Sequence, residues 1–343
     1  MAAASTARRR APAIVVAFVV LAVLLGALAF VSMNLGSLKV SLPQLFEGLF
    51  VAYDETVATV YDLRFPRIII AILAGAALAV AGTLLQAVIK NPVADPGIIG
   101  ISSGAAFGAL VLIAAAPMLY FFAPLAAFAG GMAAFAIVYG LAWDGGLDPL
   151  RIILIGVAVS ATFAGLTTSF DAMGGGLLGG VTSVVNGNIT MKTWDDVFTL
   201  LWYVATGLVA ALLVSVRCNL LALEDSKVRS LGINIDRLRL VVSLIAVLLA
   251  SIATAIVGVV GFLGLIAPHI ARLIVGSDHR VLVPFSILLG AFILLFADTL
   301  GRTVAAPYEI SAGVVMAVIG GPFFIVLLRR SMNTRRAKGG LRR

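Results

Sequence analysis

The chain has 343 residues, of which 62% are hydrophobic and 12% charged, and its mean hydropathy is +1.14. Soluble domains are typically about 45–50% apolar and about 25% charged, so this composition excludes an ordinary water-soluble enzyme. The net charge of +8 would suit nucleic acid. The basic residues cluster beside apolar stretches, however, which favours orientation in a lipid membrane and excludes nucleic acid as a partner. The single cysteine, Cys218, excludes an internal disulfide and a cysteine metal cluster.

Taken in chain order, the apolar segments predict an all-α polytopic membrane protein. The apolar run after Arg10 is longer than a signal-peptide core, so we expect an uncleaved first helix. The stretch 238–276 would be about 58 Å long as one helix, nearly twice a membrane span. Its glycine-rich middle, GVVGFLGLIAP, predicts a break and a short second crossing. Ten transmembrane helices are therefore predicted, two of them within 238–276 and the others at 12–33, 67–89, 98–116, 118–142, 150–170, 194–215, 281–301 and 311–328.

The distribution of basic residues predicts the orientation. Ten spans place both termini on one side, and all but five of the 24 lysines and arginines then lie on that side. The positive-inside rule makes this side, and both termini, cytoplasmic. Residues 12–330 form a single predicted domain between tails at 1–11 and 331–343. The five exceptions are Lys39, Arg64, Arg67, Lys192 and Arg302.

Glycines inside the predicted spans indicate close helix packing. Gly100, Gly104 and Gly108 form a GxxxGxxxG pattern, and Gly75 with Gly82 marks a second face. Small residues let helices approach closely in lipid, where apolar burial does not drive their association.

The first functional candidate is the motif NPVADPG, residues 91–97, after the second span. Its two prolines cannot continue a helix, so they predict a tight turn on the cytoplasmic side. The turn either merely connects two helices or forms a gate loop that lines a cavity, where irregular backbone is tolerated at membrane depth.

The second candidate is the charged segment LALEDSKVRSLGINIDRLRLV, residues 221–241, also on the cytoplasmic side. It predicts two short helices, Ser226–Leu231 and Ile235–Leu240, with Gly232 ending the first and Asn234 beginning the second. A simple solvated loop would need neither these helix stop and start signals nor the apolar residues of the segment. We therefore favour a docking surface for a cytoplasmic partner.

The third candidate comprises outer-face arginines, in RFPR at 64–67 and at Arg302. They run against the positive-inside trend. Arginine can extend to lipid headgroups or pair locally, here with Asp62 or Asp298. Alternatively, these guanidinium groups bind carboxylates of an extracellular partner in bidentate geometry.

Other chemistry is missing from the sequence. It has no GxxxxGK[ST] phosphate loop, so any ATP hydrolysis belongs to another subunit. The two histidines, His269 and His279, are expected to be a packing and a turn residue. Mid-membrane charges are nearly absent, which argues against an ion-coupled secondary transporter. An intramembrane enzyme would need a catalytic set that the sequence lacks.

Together these motifs resemble one family: the iron-siderophore, haem and cobalamin permeases of binding-protein-dependent ABC importers, which have the type II importer fold. The resemblance runs from about residue 34 to 330 and includes ten helices with both ends cytoplasmic. Five segments carry it: RFPR at 64–67, LLQAVIKNPVADPGIIGISSGAAFGA at 84–109, RSLGINIDRLRL at 229–240, GFLGLIAPHIARLIVGSDHRVLVP at 261–284 and AAPYEISAGVVMAVIGGPFFIVLLRR at 305–330.

The resemblance implies roles for these residues. Arg64, Arg67 and Arg302 match arginines that dock a substrate-binding protein. Segment 224–239 matches a pair of coupling helices that sit on the ATPase subunit. The fifth span would line the path, and the glycine-rich stretch 174–187 would supply a short helix on the outer side. Coupling is assigned to Glu224, Asp225, Lys227, Arg229, Ser230, Leu231, Gly232, Ile233, Asn234 and Arg237, and the cytoplasmic gate to Asn91, Pro92, Val93, Pro149 and Leu150.

By this resemblance the chain is a non-enzymatic permease subunit in the bacterial cytoplasmic membrane. Its expected partners are two cytoplasmic ATP-binding subunits, an extracytoplasmic substrate-binding protein and a second permease chain, identical or different. The chain itself is expected to bind no cofactor or metal, with ATP and Mg on the partner ATPase. Ferric siderophore is the expected cargo, with haem and cobalamin as alternatives.

Overall fold

The computed structural model describes residues 2–35, 39–142, 149–173 and 189–340, which contain α-helices and no β-strand. Short 3-10 turns at Pro117–Phe122 and Asn219–Ala222 precede or follow longer helices. The α-helices of the described residues are α1 (Ala2–Asn34), α2 (Leu42–Phe50), α3 (Glu55–Leu63), α4 (Phe65–Ile89), α5 (Ile101–Ala115), α6 (Ala123–Ala142), α7 (Pro149–Met173), α8 (Trp194–Cys218), α9 (Asp225–Ser230), α10 (Ile235–Val257), α11 (Leu263–Val275), α12 (His279–Val304) and α13 (Ala312–Gly340).

Each predicted span corresponds to one apolar helix of the described residues. Seven regions are long and apolar enough to cross a membrane, and the helices α5, α11 and α13 contribute shorter apolar stretches. The all-helical membrane fold is therefore confirmed, whereas ten crossings and two cytoplasmic termini stay predictions.

The predicted break within 238–276 is confirmed and lies between α10 and α11. Gly258 has φ 75°, and Phe262 adopts φ 65° just before α11 begins. The motif's proline, Pro268, lies inside α11. It lacks an N–H, so the carbonyl of Gly264, four residues earlier, needs another donor. The side chain of Gln86 on α4 supplies it, with Nε2 3.1 Å from that oxygen.

Residues 42–63 contain two short helices that the span prediction omits. Ser41 Oγ accepts from Gln44 N at the start of α2, and Asp54 Oδ1 accepts from Val57 N, 3.0 Å away, at the start of α3. These side chains are typical N-caps, a signal present in the sequence. Helix α1 begins at Ala2 and α13 runs to Gly340, so both helices extend into the predicted tails, whose boundaries stay predictions. The alanines and arginines there are good helix formers.

Helix α4 lies at the centre of the molecule. Most of its residues are buried, and it packs against α8, α10, α11 and α12. Gly75 meets the backbone of Gly290 on α12, and Gly82 meets that of Gly264 on α11. The predicted glycine face is thus a place where three helix backbones touch.

The GxxxGxxxG pattern packs helices as well. Gly104 and Gly108 of α5 face Gly130 and Ala126 of α6 so closely that an added Cβ would overlap backbone oxygen. Gly100 has a different role: it adopts φ 92° immediately before α5.

A methyl group at Gly82 should destabilise the fold. The Cβ of Gly82→Ala would overlap the carbonyl oxygen of Gly264, and overpacking typically costs about 1–3 kcal/mol. We expect a lower thermal unfolding midpoint in detergent. Gly26→Ala is the matched control, because no atom lies within 4 Å of its added Cβ. Equal midpoints for the two variants would contradict the close approach.

Candidate functional site

The ends of α4 and α12 on the predicted outer side share a buried ion-pair cluster. Arg67 Nη2 lies 2.9 Å from Asp298 Oδ1, and Nε lies 3.0 Å from Oδ2. Arg67 Nη1 lies 2.9 Å from Glu309 Oε2. Arg67 is 9% exposed and Asp298 1%. Local pairing with Asp298, one of the sequence alternatives, is therefore what the structure shows for Arg67.

The other two predicted arginines contact the end of α1. Arg302 donates to Ser32 Oγ, and its Nε lies 3.5 Å from Asp298 Oδ2. Arg64 donates from Nη1 to the carbonyl of Met33. The structure thus brings all three arginines together around a cavity of about 440 Å³.

Their accessibility differs. The side chains of Arg67 and Arg302 are 10% and 11% exposed, whereas Arg64 is half-buried. A guanidinium held by a buried carboxylate cannot turn to a partner without leaving that carboxylate unpaired, which is costly. Docking by these arginines stays a prediction, and Arg64 is the best placed of the three.

At the other end of α4, residues 91–97 form the tight turn that the two prolines predict. Lys90 adopts φ 54° and ends the helix, and Asn91 Oδ1 accepts from Val93 N, 3.1 Å away. Pro92 is exposed, whereas Val93 is buried. The turn is confirmed, and its action as a gate stays a prediction.

Asp95 is the buried acid of this turn. It is 1% exposed, and its Oδ1 accepts from Gly97 N at 2.8 Å, closing an Asx turn. Its Oδ2 lies beside Gly264, at the start of α11. Burial raises the pKa of Asp95 to about 6, against the opposing effect of backbone N–H groups of Gly97, Ile98, Gly264 and Leu265.

Gln86 joins the turn to α11 and was missed by the sequence analysis. Its Nε2 donates to the carbonyls of Ala94 and Gly264, each 3.1 Å away, and its Oε1 accepts from Arg272. The available signal was a lone amide in an otherwise apolar span. The Asp-Pro-Gly sequence was likewise the signal for the role of Asp95.

Helix α7 contacts the same turn. Ser160 Oγ lies 3.1 Å from the carbonyl of Gly97, and Gly156 packs against the backbone of Ile98. The predicted gate residue Pro149 begins α7, and Leu150 is 65% exposed in its first turn. The predicted glycine-rich helix at 174–187 lies outside the described residues.

The charged segment 221–241 is attached to α4 by Asp225. Lys90 Nζ lies 3.0 Å from Asp225 Oδ1 and 2.7 Å from the carbonyl of Leu223, and Arg239 Nη1 lies 2.9 Å from Asp225 Oδ2. Burial raises the pKa of Asp225, but the bonds from Lys90 and Arg239 outweigh it and hold this pKa below its ordinary value.

The structure corrects the two-helix prediction for this segment. The first helix is α9, Asp225–Ser230, whereas Ile235–Leu240 is only the beginning of α10, which continues to Val257. No helix breaker follows Leu240, so the helix continues. Gly232 at φ 76° and the Asn234 cap, which accepts from Arg237 N, lie where predicted.

The predicted coupling residues form an exposed surface. Surface ion pairs join Lys227 to Glu224 and Arg229 to Asp236. Leu231 is 64% exposed at the turn between α9 and α10. Ser230, Gly232, Asn234 and Arg237 are exposed too, while Asp225 and Ile233 are half-buried. An exposed leucine framed by charges is suited to a protein contact.

Two solved structures have folds similar to that of this chain. One, described as an inward-facing conformation of a metal-chelate type ABC transporter, has a TM-score of 0.75 and 30% identity, covering 92% of this chain and 99% of that one. PsaBC from Streptococcus pneumoniae, solved with a Fab, has a TM-score of 0.53 at 14% identity and shows the fold alone. The apolar helices and the 30% identical structure, which matches nearly the whole chain, indicate the permease subunit of an ABC importer, a multi-pass protein of the bacterial cytoplasmic membrane.

Residues 16–330 match the FecCD transport family, and the chain belongs to that family. Among its relatives is a Staphylococcus aureus protein named as heme-iron transport system permease protein IsdF. The sequences from strains bovine RF122 / ET3-1 and Newman are each 41% identical over 326 residues, which is 93% of this chain and 97% of the relative. The family predicted from the sequence is confirmed.

Asp95 should make stability depend on pH. Because its folded pKa is raised, ionised Asp95 opposes folding, so its favourable contribution is complete below about pH 4 and is lost as the pH rises through about 6. The loss is on the order of 1.4 kcal/mol per unit of pKa difference. Thermal midpoints measured from pH 4 to 7 should fall less in Asp95→Asn than in the parent. Asp62→Asn, which removes an exposed carboxylate of α3, should keep the parental slope. An unchanged slope in Asp95→Asn would exclude Asp95 as the source of the pH dependence.

Proposed function

We propose that this permease carries haem across the membrane. The observation behind this is the 41% identity, over nearly the whole chain, to proteins named as heme-iron permeases. The siderophore expectation receives no comparable support, so haem, an alternative at the sequence level, becomes the proposed cargo.

The exposed face of α7 suits a large apolar cargo. Only 22% of the apolar part of this helix is buried, and its exposed residues include Ala158, Ala161 and Gly165. The hydroxyls of Thr162 and Thr168 each donate to the helix's own backbone at 2.9 Å. Both hydroxyl groups are therefore hydrogen-bonded within the helix, so the exposed face is suited to contact with an apolar macrocycle.

This exposed face also supports pairing with a second permease chain. We propose that α7 of two chains, identical or different, forms the path at their interface. A binding protein would deliver cargo to the end that carries Arg64, and two ATPase subunits would dock on segment 221–241. The paired Lys90 and Asp225 would transmit their motion to the turn at 91–97, the proposed gate. Leu150 would border that gate.

The cargo is testable by reconstitution. Proteoliposomes containing the permease, its ATPase and its binding protein should take up haem when ATP is supplied on the side of the membrane where the ATPase subunits lie. A ferric siderophore and cobalamin, each presented alone, are the comparison cargoes. Uptake of siderophore but not haem would reject the haem assignment, and uptake without the ATPase would indicate an ion-coupled carrier instead.

Charge reversal at Arg64 should weaken docking of the binding protein, and the unfolding midpoint of the variant is measured beside it because Arg64 also donates to the carbonyl of Met33. Loss of a guanidinium–carboxylate contact at an interface costs about 1.4 kcal/mol or more, so we expect about tenfold weaker binding by Arg64→Glu. Arg64→Lys keeps the charge and is the control. Arg67 is unsuitable for this test because its reversal would place an acid beside buried Asp298. Unchanged affinity of Arg64→Glu, measured in nanodiscs, would contradict docking at this site.

The exposed leucine of the coupling surface gives a separate test. Leu231→Asp would place a charge where an apolar contact with the ATPase is proposed, and we expect about tenfold or greater loss of ATPase binding. Leu231→Met preserves the apolar side chain and should bind normally. Because Leu231 is 64% exposed, both variants should keep the parental unfolding midpoint. Normal ATPase binding by Leu231→Asp would exclude this leucine from the interface.

A further inference from the structure

A second polar cavity lies at the predicted cytoplasmic end of the helices. Its volume is about 310 Å³, and it is lined by the ends of α4, α8, α11 and α12. It therefore adjoins both the turn at 91–97 and the segment 221–241. Its polar lining residues are Gln86, Lys90, Asn91, Arg272, Ser277 and His279.

Arg272 carries a positive charge into this cavity without a compensating acid. The residue is half-buried, and its guanidinium donates to Oε1 of Gln86, a neutral acceptor. In the described part of the chain, no carboxylate lies within 4 Å of it. A partly buried, unpaired charge is costly, and an anion would offset that cost.

His279 supplies a second unsatisfied group. It is 8% exposed, and its Nδ1 lies 2.8 Å from Asn219 Oδ1, which also accepts from the His279 backbone N–H. Nδ1 is therefore the protonated nitrogen. The other nitrogen, Nε2, is buried and has no hydrogen-bond partner within the described residues. In this tautomer Nε2 is a hydrogen-bond acceptor, so it can accept a hydrogen bond from a protonated oxygen of a ligand.

The neighbouring carboxylates are already engaged. Asp225 pairs with Lys90, and Asp278 Oδ1 accepts from Asn219 Nδ2 at 2.7 Å and from Arg280 N at 3.0 Å. Neither neutralises Arg272. The cavity thus keeps a net positive lining and an unpaired nitrogen.

We propose that this cavity binds a phosphate group. The planar guanidinium of Arg272 matches phosphate oxygens in a bidentate arrangement, and the cavity is large enough for one such group. Basic pockets between helices at this membrane surface bind anionic lipid headgroups, and free phosphate offers the same chemistry. Bound phosphate would join α11 and α12 to the end of α4, next to the proposed gate and coupling surface.

The test uses the full-length chain in nanodiscs. In phosphatidylcholine, added inorganic phosphate is compared with chloride at equal ionic strength by the thermal unfolding midpoint. In mixed nanodiscs, phosphatidylglycerol that stays bound after detergent extraction is counted by native mass spectrometry. Stabilisation by inorganic phosphate identifies a free-phosphate site, and selective retention of phosphatidylglycerol identifies a headgroup site.

Variants link either signal to the cavity. Arg272→Gln should weaken binding about tenfold, as expected for loss of a charge-assisted contact. Arg272→Lys should restore part of it, and Arg280→Gln, which changes an exposed arginine outside the cavity lining, should bind like the parent. If Arg272→Gln does not fold, His279→Leu makes the same test. Absence of both signals in the parent chain, or equal binding by the cavity variant and Arg280→Gln, would overturn the proposal.

Discussion

The close approach of α4 to α11 and α12 is the constraint on which the rest of the structure depends. Gly75 and Gly82 bring three backbones together, and a single methyl group there would overlap a carbonyl oxygen. In lipid, such packing substitutes for the hydrophobic driving force that holds soluble cores together. It also places Gln86 within hydrogen-bond distance of Gly264, so a proline can stay inside α11 without leaving its carbonyl unpaired.

Helix α4 also joins the two charged ends of the molecule. Arg67 at its start is bound to carboxylates of α12 and the chain beyond it, and Lys90 at its end is bound to the coupling segment. The helix is about 37 Å long at 1.5 Å per residue, enough to span the hydrocarbon core. A movement of segment 221–241 therefore acts on an element that contacts the proposed gate directly and reaches the outer arginines.

The helices, the break and the turn could be predicted from the sequence because each depends on residues that are close together along the chain. Apolar length predicts the helices, the glycines of 258–264 predict the break, and Asn-Pro and Asp-Pro-Gly predict the turn. The short helices α2 and α3 carried recognisable caps but too few apolar residues to be counted as spans. The predicted end of the second coupling helix at Leu240 was wrong, because no helix-breaking residue follows it and the helix continues to Val257.

The sequence by itself determined the membrane class, the approximate spans, the family and the residue types at each end, since composition, periodicity and motifs suffice for these. The tertiary structure alone decided which charges are paired. Arg67 and Asp298 are 231 positions apart, and only packing of α4 on α12 brings them into a buried ion pair, where the sequence had left open whether Arg67 pairs locally or docks a partner. The same holds for Arg272 and His279: the charge of Arg272, which no carboxylate of the described residues balances, and the unpartnered Nε2 of His279 share one cavity because four helix ends meet there.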